Sequence, residues 1–237
     1  MACPLRATMS RIFTEEELVF PLLRGRLLHA FAEAVALNVD SDVARLKIMD
    51  AYQEILAAPT WLRSHRLDTW RTVLDRTKMW IETHRHIFEQ VGVEVEAEVT
   101  IAEGMKLRGR IDRLEKTMDG DYHIVDFKSG TNHPSEKTIA DHIQLLTYQL
   151  ILHHGAFDGT KIRTTRSTES GMTVDGATLV YPEKDTKNIW SITQAAKTEE
   201  QLAEFEDQLP DLLQALRGPE LQAQRNPRCA TCKLKPI

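Results

Sequence analysis

The sequence is short of cysteine, of long apolar runs and of positive charge. Cysteine occurs three times in 237 residues, as Cys3, Cys229 and Cys232, all at the two extreme ends. An odd count placed this way argues against a disulfide framework. No apolar run reaches the roughly 18 residues of a membrane span. The opening MACPLRATMSRIF lacks the apolar stretch of a secretory signal. A cytoplasmic protein without membrane contact is therefore expected. Lysine and arginine number 30 against 35 acidic residues, a net charge of -5. That balance argues against a loose, non-specific nucleic-acid binder. It leaves room for an enzyme that grips a polyanion in a channel, because carboxylates that hold a divalent cation count as acidic until the cation arrives. No G-x4-G-K-[ST] run occurs, so a nucleotide-driven motor is not encoded here.

What is present is ordinary globular material: 42% hydrophobic and 27% charged residues, enough for a sizeable core. Apolar residues Leu22, Leu23, Leu27, Leu28, Phe31 and Val35 fall near a 3.6 period and predict a helix over about 14–37, started or kinked by Pro21. Two further helices are expected over about 41–57 and 67–90, separated by Pro59. The period then changes to two: Val93, Val95, Ala97, Val99 and Ile101 alternate as in a half-buried strand. Strands over about 105–116 and 121–128, a helix over 138–154, a polar loop over 163–172, strands over 176–182 and 188–193, and a helix over 197–217 follow. That order predicts an α/β fold, a mixed central sheet flanked by helices. Its parts are a helical segment over about 14–90, a core over 91–195 and a C-terminal helix with the cysteine segment over 196–237, all in one domain.

The chemistry concentrates in Gly109-Arg110-Ile111-Asp112-Arg113 and Ile124-Val125-Asp126-Phe127-Lys128. Residues two apart on a strand share a face, so Asp126 and Lys128 point together while Val125 and Phe127 enter the core. Whether Asp112 joins them depends on the turn. A two-residue Asp119-Gly120 loop would set Asp112 opposite Phe127, on the wrong face. A three-residue Met118-Asp119-Gly120 loop pairs Thr117 with Asp121 and sets Asp112 opposite Asp126. That loop wants glycine in the left-handed conformation at its third position, where Gly120 stands. A lone D-x-K is more often a solvated strand face than a site. The second aspartate in matching register favours a site. Hard carboxylate oxygens suit Mg2+ or Mn2+, and a lysine beside them supplies a fixed cation. Local basic clusters, Arg108 with Arg110 and Arg113 and then Lys161 to Arg166, offer contacts for a polyanion.

G-R-I-D-R, then I-V-D-F-K-S-G, then Gln144 and Tyr148 as Q-x-x-x-Y, resemble the RecB-like PD-(D/E)XK nuclease family. Gly25 and His29 match that family's upstream G-x-x-x-H. The resemblance is greatest to the C-terminal iron–sulfur nuclease domains of AdnB and AddB helicase–nucleases, and it runs over nearly the whole chain. It implies a restriction-endonuclease-like core and metal-dependent DNA cleavage in double-strand-break end processing and recombination repair. It implies His29, Asp112, Asp126 and the backbone carbonyl of Phe127 as metal ligands, Lys128 at the water or phosphate, and Gln144 and Tyr148 supporting the site or touching DNA. Glu96 or Glu98 would add a carboxylate. His84, His86, His123, His142, His153 and His154 are read as surface or structural residues.

Cys229-x-x-Cys232 has metal-ligand spacing. In the resembling domains an early cysteine and three late ones hold a 4Fe-4S cluster. Cys3, Cys229 and Cys232 match three of them, and the fourth would fall just after Ile237. The chain is accordingly expected to be a fragment of a longer helicase–nuclease, partnered by DNA, a helicase motor and a second helicase–nuclease subunit. The alternatives are a stand-alone CRISPR-associated-type cluster nuclease and a catalytically inactive DNA-binding scaffold.

Overall fold

The computed structural model describes residues 3–12, 19–101, 104–164, 171–184, 189–217, 221, 223–226, 229 and 232. Its elements are α1 (Pro4–Ile12), α2 (Val19–Ala36), α3 (Ser41–Ile55), α4 (Thr60–His84), β1 (Glu89–Thr100), β2 (Lys106–Lys116), β3 (Tyr122–Phe127), α5 (Glu136–Ile139), α6 (Ile143–His154), β4 (Gly155–Phe157), β5 (Lys161–Thr164), β6 (Val174–Tyr181), β7 (Trp190–Ala195), α7 (Glu199–Asp207) and α8 (Leu209–Arg217). Among the described residues the strands form one seven-stranded sheet in the order β4-β5-β1-β2-β3-β6-β7. β1 with β5 and β3 with β6 run parallel, and the other neighbours are antiparallel. The expected mixed sheet flanked by helices is what forms.

Each face of the sheet has its own core. On one, α2, α3 and α4 bury Leu28, Phe31, Trp70, Leu74 and Trp80 together with Val125, Phe127 and Val180 from the strands. The Trp80 ring meets Phe127 edge-on at 5.4 Å. On the other, α6 lays Leu145, Tyr148, Ile151 and Leu152 against Val95, Leu114, Ile124 and Leu179. Burial on both faces explains why β3 carries apolar residues on each side, Ile124 on one and Val125 and Phe127 on the other. Val125 and Phe127 enter the core as expected.

The hairpin between β2 and β3 takes the three-residue loop. Thr117 N donates to Asp121 O at 2.9 Å, Gly120 N donates to Thr117 O at 3.1 Å, and Gly120 sits at φ +93. Lys116 faces Tyr122 and Arg113 faces Val125; one pair further along this register, Asp112 faces Asp126.

Several boundaries differ from the sequence expectation. α4 begins directly after Pro59, and β1 begins at Glu89. The helix expected over 138–154 is two, α5 and α6. The buried amide of Gln194 donates to Ile139 O at 2.8 Å and Ala140 O at 3.0 Å, which satisfies carbonyls released by the break. The helix expected over 197–217 divides at Gln208; Pro210, which has no N–H to bond back to Glu206 in a continuous helix, falls in the first turn of α8. Of the loop expected over 163–172, residues 163 and 164 belong to β5. Residues 165–170, which include Arg166 at the end of the second basic cluster, lie outside the described residues, as do 14–18 and 188. No described helix is long and apolar enough to cross a membrane.

Candidate active site

The hairpin register, the end of β3 and two helices converge on one cleft of about 770 Å³. α2 supplies Arg26, His29 and Glu33, β1 supplies Glu94, β2 supplies Arg110 and Asp112, β3 and its exit supply Asp126, Lys128 and Ser129, and α6 supplies Gln144 and Tyr148. Gly25 lets α2 come this near, since a Cβ there would lie 3.3 Å from Ser129 Oγ. The four upstream and downstream motifs, far apart in sequence, thus meet in space.

His29 Nδ1 lies 3.2 Å from Asp112 Oδ1 and 3.8 Å from Glu94 Oε1. Ligand atoms of these three residues all fall within 4.8 Å of one another, close enough to share one cation. Asp112 is held by its other oxygen, Oδ2, which accepts the Phe127 N–H at 2.6 Å. Burial pulls the His29 pKa down, but hydrogen bonds to Asp112 and Glu94 outweigh it and raise the pKa to about 10. Glu94 is held below the usual carboxylate range, first by its hydrogen bond to His29. The two carboxylates beside the imidazole thus favour its charged form.

Asp126 is buried beneath α6, 1% exposed. The face of β3 that carries Asp126 and Lys128 is thus covered by α6, as the opposite face is by α2 and α4. Burial first, and the Asp112 charge second, push the Asp126 pKa up to about 7. Its Oδ1 accepts Gln144 Nε2 at 2.7 Å and its Oδ2 lies 2.6 Å from Lys128 Nζ. The ion pair with Lys128 thus holds the second oxygen of this buried carboxylate. Lys128 Nζ also donates to Gln144 Oε1 at 2.6 Å. Gln144 Nε2 reaches Tyr148 OH at 3.0 Å, and Tyr148 OH donates to Arg110 O at 2.7 Å. The four-residue spacing on α6 places both side chains on one face, and both brace the site.

Glu94 is the residue that sequence reasoning missed. Glu96 pairs with Lys161, and Glu98 pairs with Lys106 and Arg108, all on the exposed surface. Glu94 alone of the three turns to the cleft, and it does so at φ +49, a conformation that L residues rarely adopt. Nothing in the alternation of β1 signals this. Arg113 also departs from its expected place in a surface basic cluster: it is 1% exposed and ion-paired with the equally buried Glu115. Its neighbours Arg108 and Arg110 are exposed, paired with Glu98 and Glu94. Among the histidines read as structural, His84 contacts Glu115, His123 binds Asp175 and Thr178, and His154 binds Glu206.

A family model of the PD-(D/E)XK nuclease superfamily matches residues 1–237. The chain belongs to that superfamily. Its mixed sheet, flanking helices and N-terminal helical segment are consistent with the superfamily's fold. A search of curated proteins finds no match. Among solved structures, that of SSO0001 is similar at 16% identity, covering 88% of this chain and 81% of that one, with a TM-score of 0.31. PD-(D/E)XK proteins are nucleases that use divalent metals, and the residues present fit such an ion. His29, Glu94 and Asp112 offer an imidazole and hard carboxylate oxygens at ligand spacing, and Asp126 lines the same cleft.

Cys3, Cys229 and Cys232 are half-buried and form no disulfide. α1, which follows Cys3, packs against α8, which leads toward the other two. Cys229 Sγ accepts the Asn226 N–H at 3.2 Å.

Proposed function

We propose that this chain is a metal-dependent deoxyribonuclease domain that hydrolyses phosphodiester bonds at DNA ends, working in double-strand-break processing alongside a helicase motor. The observation that carries the reading is the pairing of Asp112 and Asp126 across the hairpin, with His29 and Glu94 on one side and Lys128 and Gln144 on the other. His29, Glu94 and Asp112 would hold Mg2+ or Mn2+, joined by Asp126 and the carbonyl of Phe127. Such an ion lowers the pKa of a bound water and offsets charge on the phosphate.

The chain's own residues supply the rest. Lys128, anchored between Asp126 and Gln144, is a fixed cation where charge builds on the phosphate. Gln144 holds the carboxylate and the ammonium in one geometry. Tyr148 ties Gln144 to the β2 backbone. Arg26, exposed on α2 one turn before His29, adds positive charge to the cleft wall.

The same reading assigns Cys3, Cys229 and Cys232 as three thiolates of a 4Fe-4S cluster. The packing of α1 on α8 and the N–H donated to Cys229 Sγ support it. Iron and acid-labile sulfide in the anaerobically purified protein, lost in Cys229→Ser, would bear it out. A metal-free protein would count against it.

The nuclease reading is tested with end-labelled single-stranded and duplex DNA, in Mg2+, Mn2+ or EDTA, beside an Asp126→Ala control. Circular dichroism first establishes that both proteins are folded. Cleavage that needs metal and vanishes in the variant is the expected result. A folded wild-type protein that cleaves nothing in either metal overturns it.

A further inference from the structure

Beyond the metal centre, the edge of the sheet carries an aromatic shelf. Lys128 N donates to Val180 O at 2.8 Å, so Tyr181 on β6 stands beside Lys128, and Tyr181 faces Trp190 on β7. Lys128, Tyr181 and Trp190 therefore form one row across the sheet, on the face that also carries Asp126. At roughly 4.8 Å per strand, Trp190 lies roughly 10 Å along the sheet from Lys128. The exposed His133 ring packs on Trp190 with centroids 3.8 Å apart, and Lys184 Nζ sits 4.0 Å over the Trp190 ring.

The shelf is held in place. His133 Nδ1 bonds Pro134 O at 2.9 Å, and His133 Nε2 bonds Lys184 Nζ at 2.6 Å. With the ring proton on Nδ1, both bonds are satisfied and the ring is locked. The strand exit beneath it is pinned from two helices: Arg24 pairs with Glu183 at 2.8 Å, and Arg76 donates to Lys184 O at 2.9 Å. An exposed, immobilised ring with a cation at its edge is what an unpaired nucleotide needs: a surface for the base and a charge for the phosphate. A paired base inside a duplex offers no free face to it.

We propose that His133, Trp190 and Lys184 form a stacking subsite for a base of single-stranded DNA, next to the metal centre. This rests on the nuclease reading and names its substrate as the unpaired strand. The test measures binding of a fluorescent single-stranded oligonucleotide in EDTA, so that its outcome does not depend on cleavage. His133→Ala, at an exposed position, is expected to weaken binding about 10-fold, the worth of one base stack. His133→Tyr, which keeps a ring, is expected to retain most of the affinity. In the nuclease assay the loss in His133→Ala should fall on KM for single strands more than on kcat. An abasic site placed successively along the oligonucleotide should reveal one position where its cost and that of His133→Ala are not additive. Unchanged binding in His133→Ala, or equal losses for single strands and duplex, would overturn the subsite. A wild-type protein that binds single strands through the shelf yet never cleaves would defeat the nuclease reading alone.

Discussion

Gln144 Nε2 donates to Asp126 Oδ1 at 2.7 Å, and the other end of the same amide receives Lys128 Nζ. One side chain from α6 thus holds both Asp126 on β3 and Lys128 just past its end. An amide does this because it carries a donor and an acceptor at fixed separation. Gln144→Glu replaces the donor with a second carboxylate against Asp126, and Gln144→Ala removes both bonds. Each is expected to lower kcat by about 10- to 100-fold, the usual cost of losing a partner that orients a site group. Glutamate should be the worse, although its size is nearer to glutamine. Equal activity for Gln144→Glu and wild type would remove the orienting role.

Glu94 spends backbone energy to reach the cleft. A non-glycine residue in the left-handed region costs about 1–3 kcal/mol, and Glu94 stands at φ +49. Asparagine tolerates that region better but brings no charge. Glu94→Asn is therefore expected to leave thermal stability equal or higher while weakening Mn2+ binding by about 10-fold or more. Calorimetric titration with Mn2+, paired with a melting curve, checks both halves. A variant that melts lower and binds metal normally would show Glu94 to be structural.

The contrast between Glu94 and the hairpin shows what is legible in a sequence. Gly120 marks a left-handed turn position, and the turn sets the register that brings Asp112 and Asp126 together. Local chemistry settles that geometry, so it can be read in advance. The periods of α2 and of β1 to β3 are legible for the same reason. Glu94, Glu96 and Glu98 alternate identically with valine and alanine, yet only Glu94, at its positive φ, faces the cleft while the other two join surface pairs. The burial of Arg113 is equally hidden, because its partner Glu115 and the contact from His84 arrive through tertiary packing. The carbonyls freed between α5 and α6 are satisfied by Gln194, more than fifty residues away.

That buried pair carries a prediction about acid. Burial would raise the Glu115 pKa, but the hydrogen bond from His84 and the charge of Arg113 outweigh it, so the net shift is downward from 4.5. A carboxylate with a folded-state pKa below its unfolded value stabilises fully above the unfolded value. The contribution then fades as pH falls through the folded one. Glu115 should thus support stability at neutral pH and lose that support in acid below about pH 4.5. Glu115→Gln leaves Arg113 charged and buried without a counter-ion, at a cost of about 3–5 kcal/mol at pH 7. Urea unfolding at several pH values should show the gap between wild type and variant closing in acid. A gap that stays constant with pH would mean that shape, not charge, sets the cost.

Gly109 opens the G-R-I-D run, and its role is space. A Cβ at this position would lie 2.8 Å from Tyr148 Cε1. The Tyr148 ring must therefore move in Gly109→Ala, and with it the hydroxyl that joins Arg110 O to Gln144. Overpacking of this kind costs about 1–3 kcal/mol. The displaced Gln144 should lower kcat as well. Tyr148→Phe separates the two effects: it keeps the ring and loses only the hydroxyl, so stability should fall by about 1 kcal/mol. A smaller side chain at position 148 gives the alanine methyl room. Tyr148→Leu in the Gly109→Ala background is then expected to restore stability relative to Gly109→Ala alone, without restoring kcat. Melting temperature and single-turnover cleavage, measured over this double-mutant cycle, give both quantities. Strict additivity in stability would mean that Gly109 and Tyr148 do not meet, and that glycine stands in the run for some other reason.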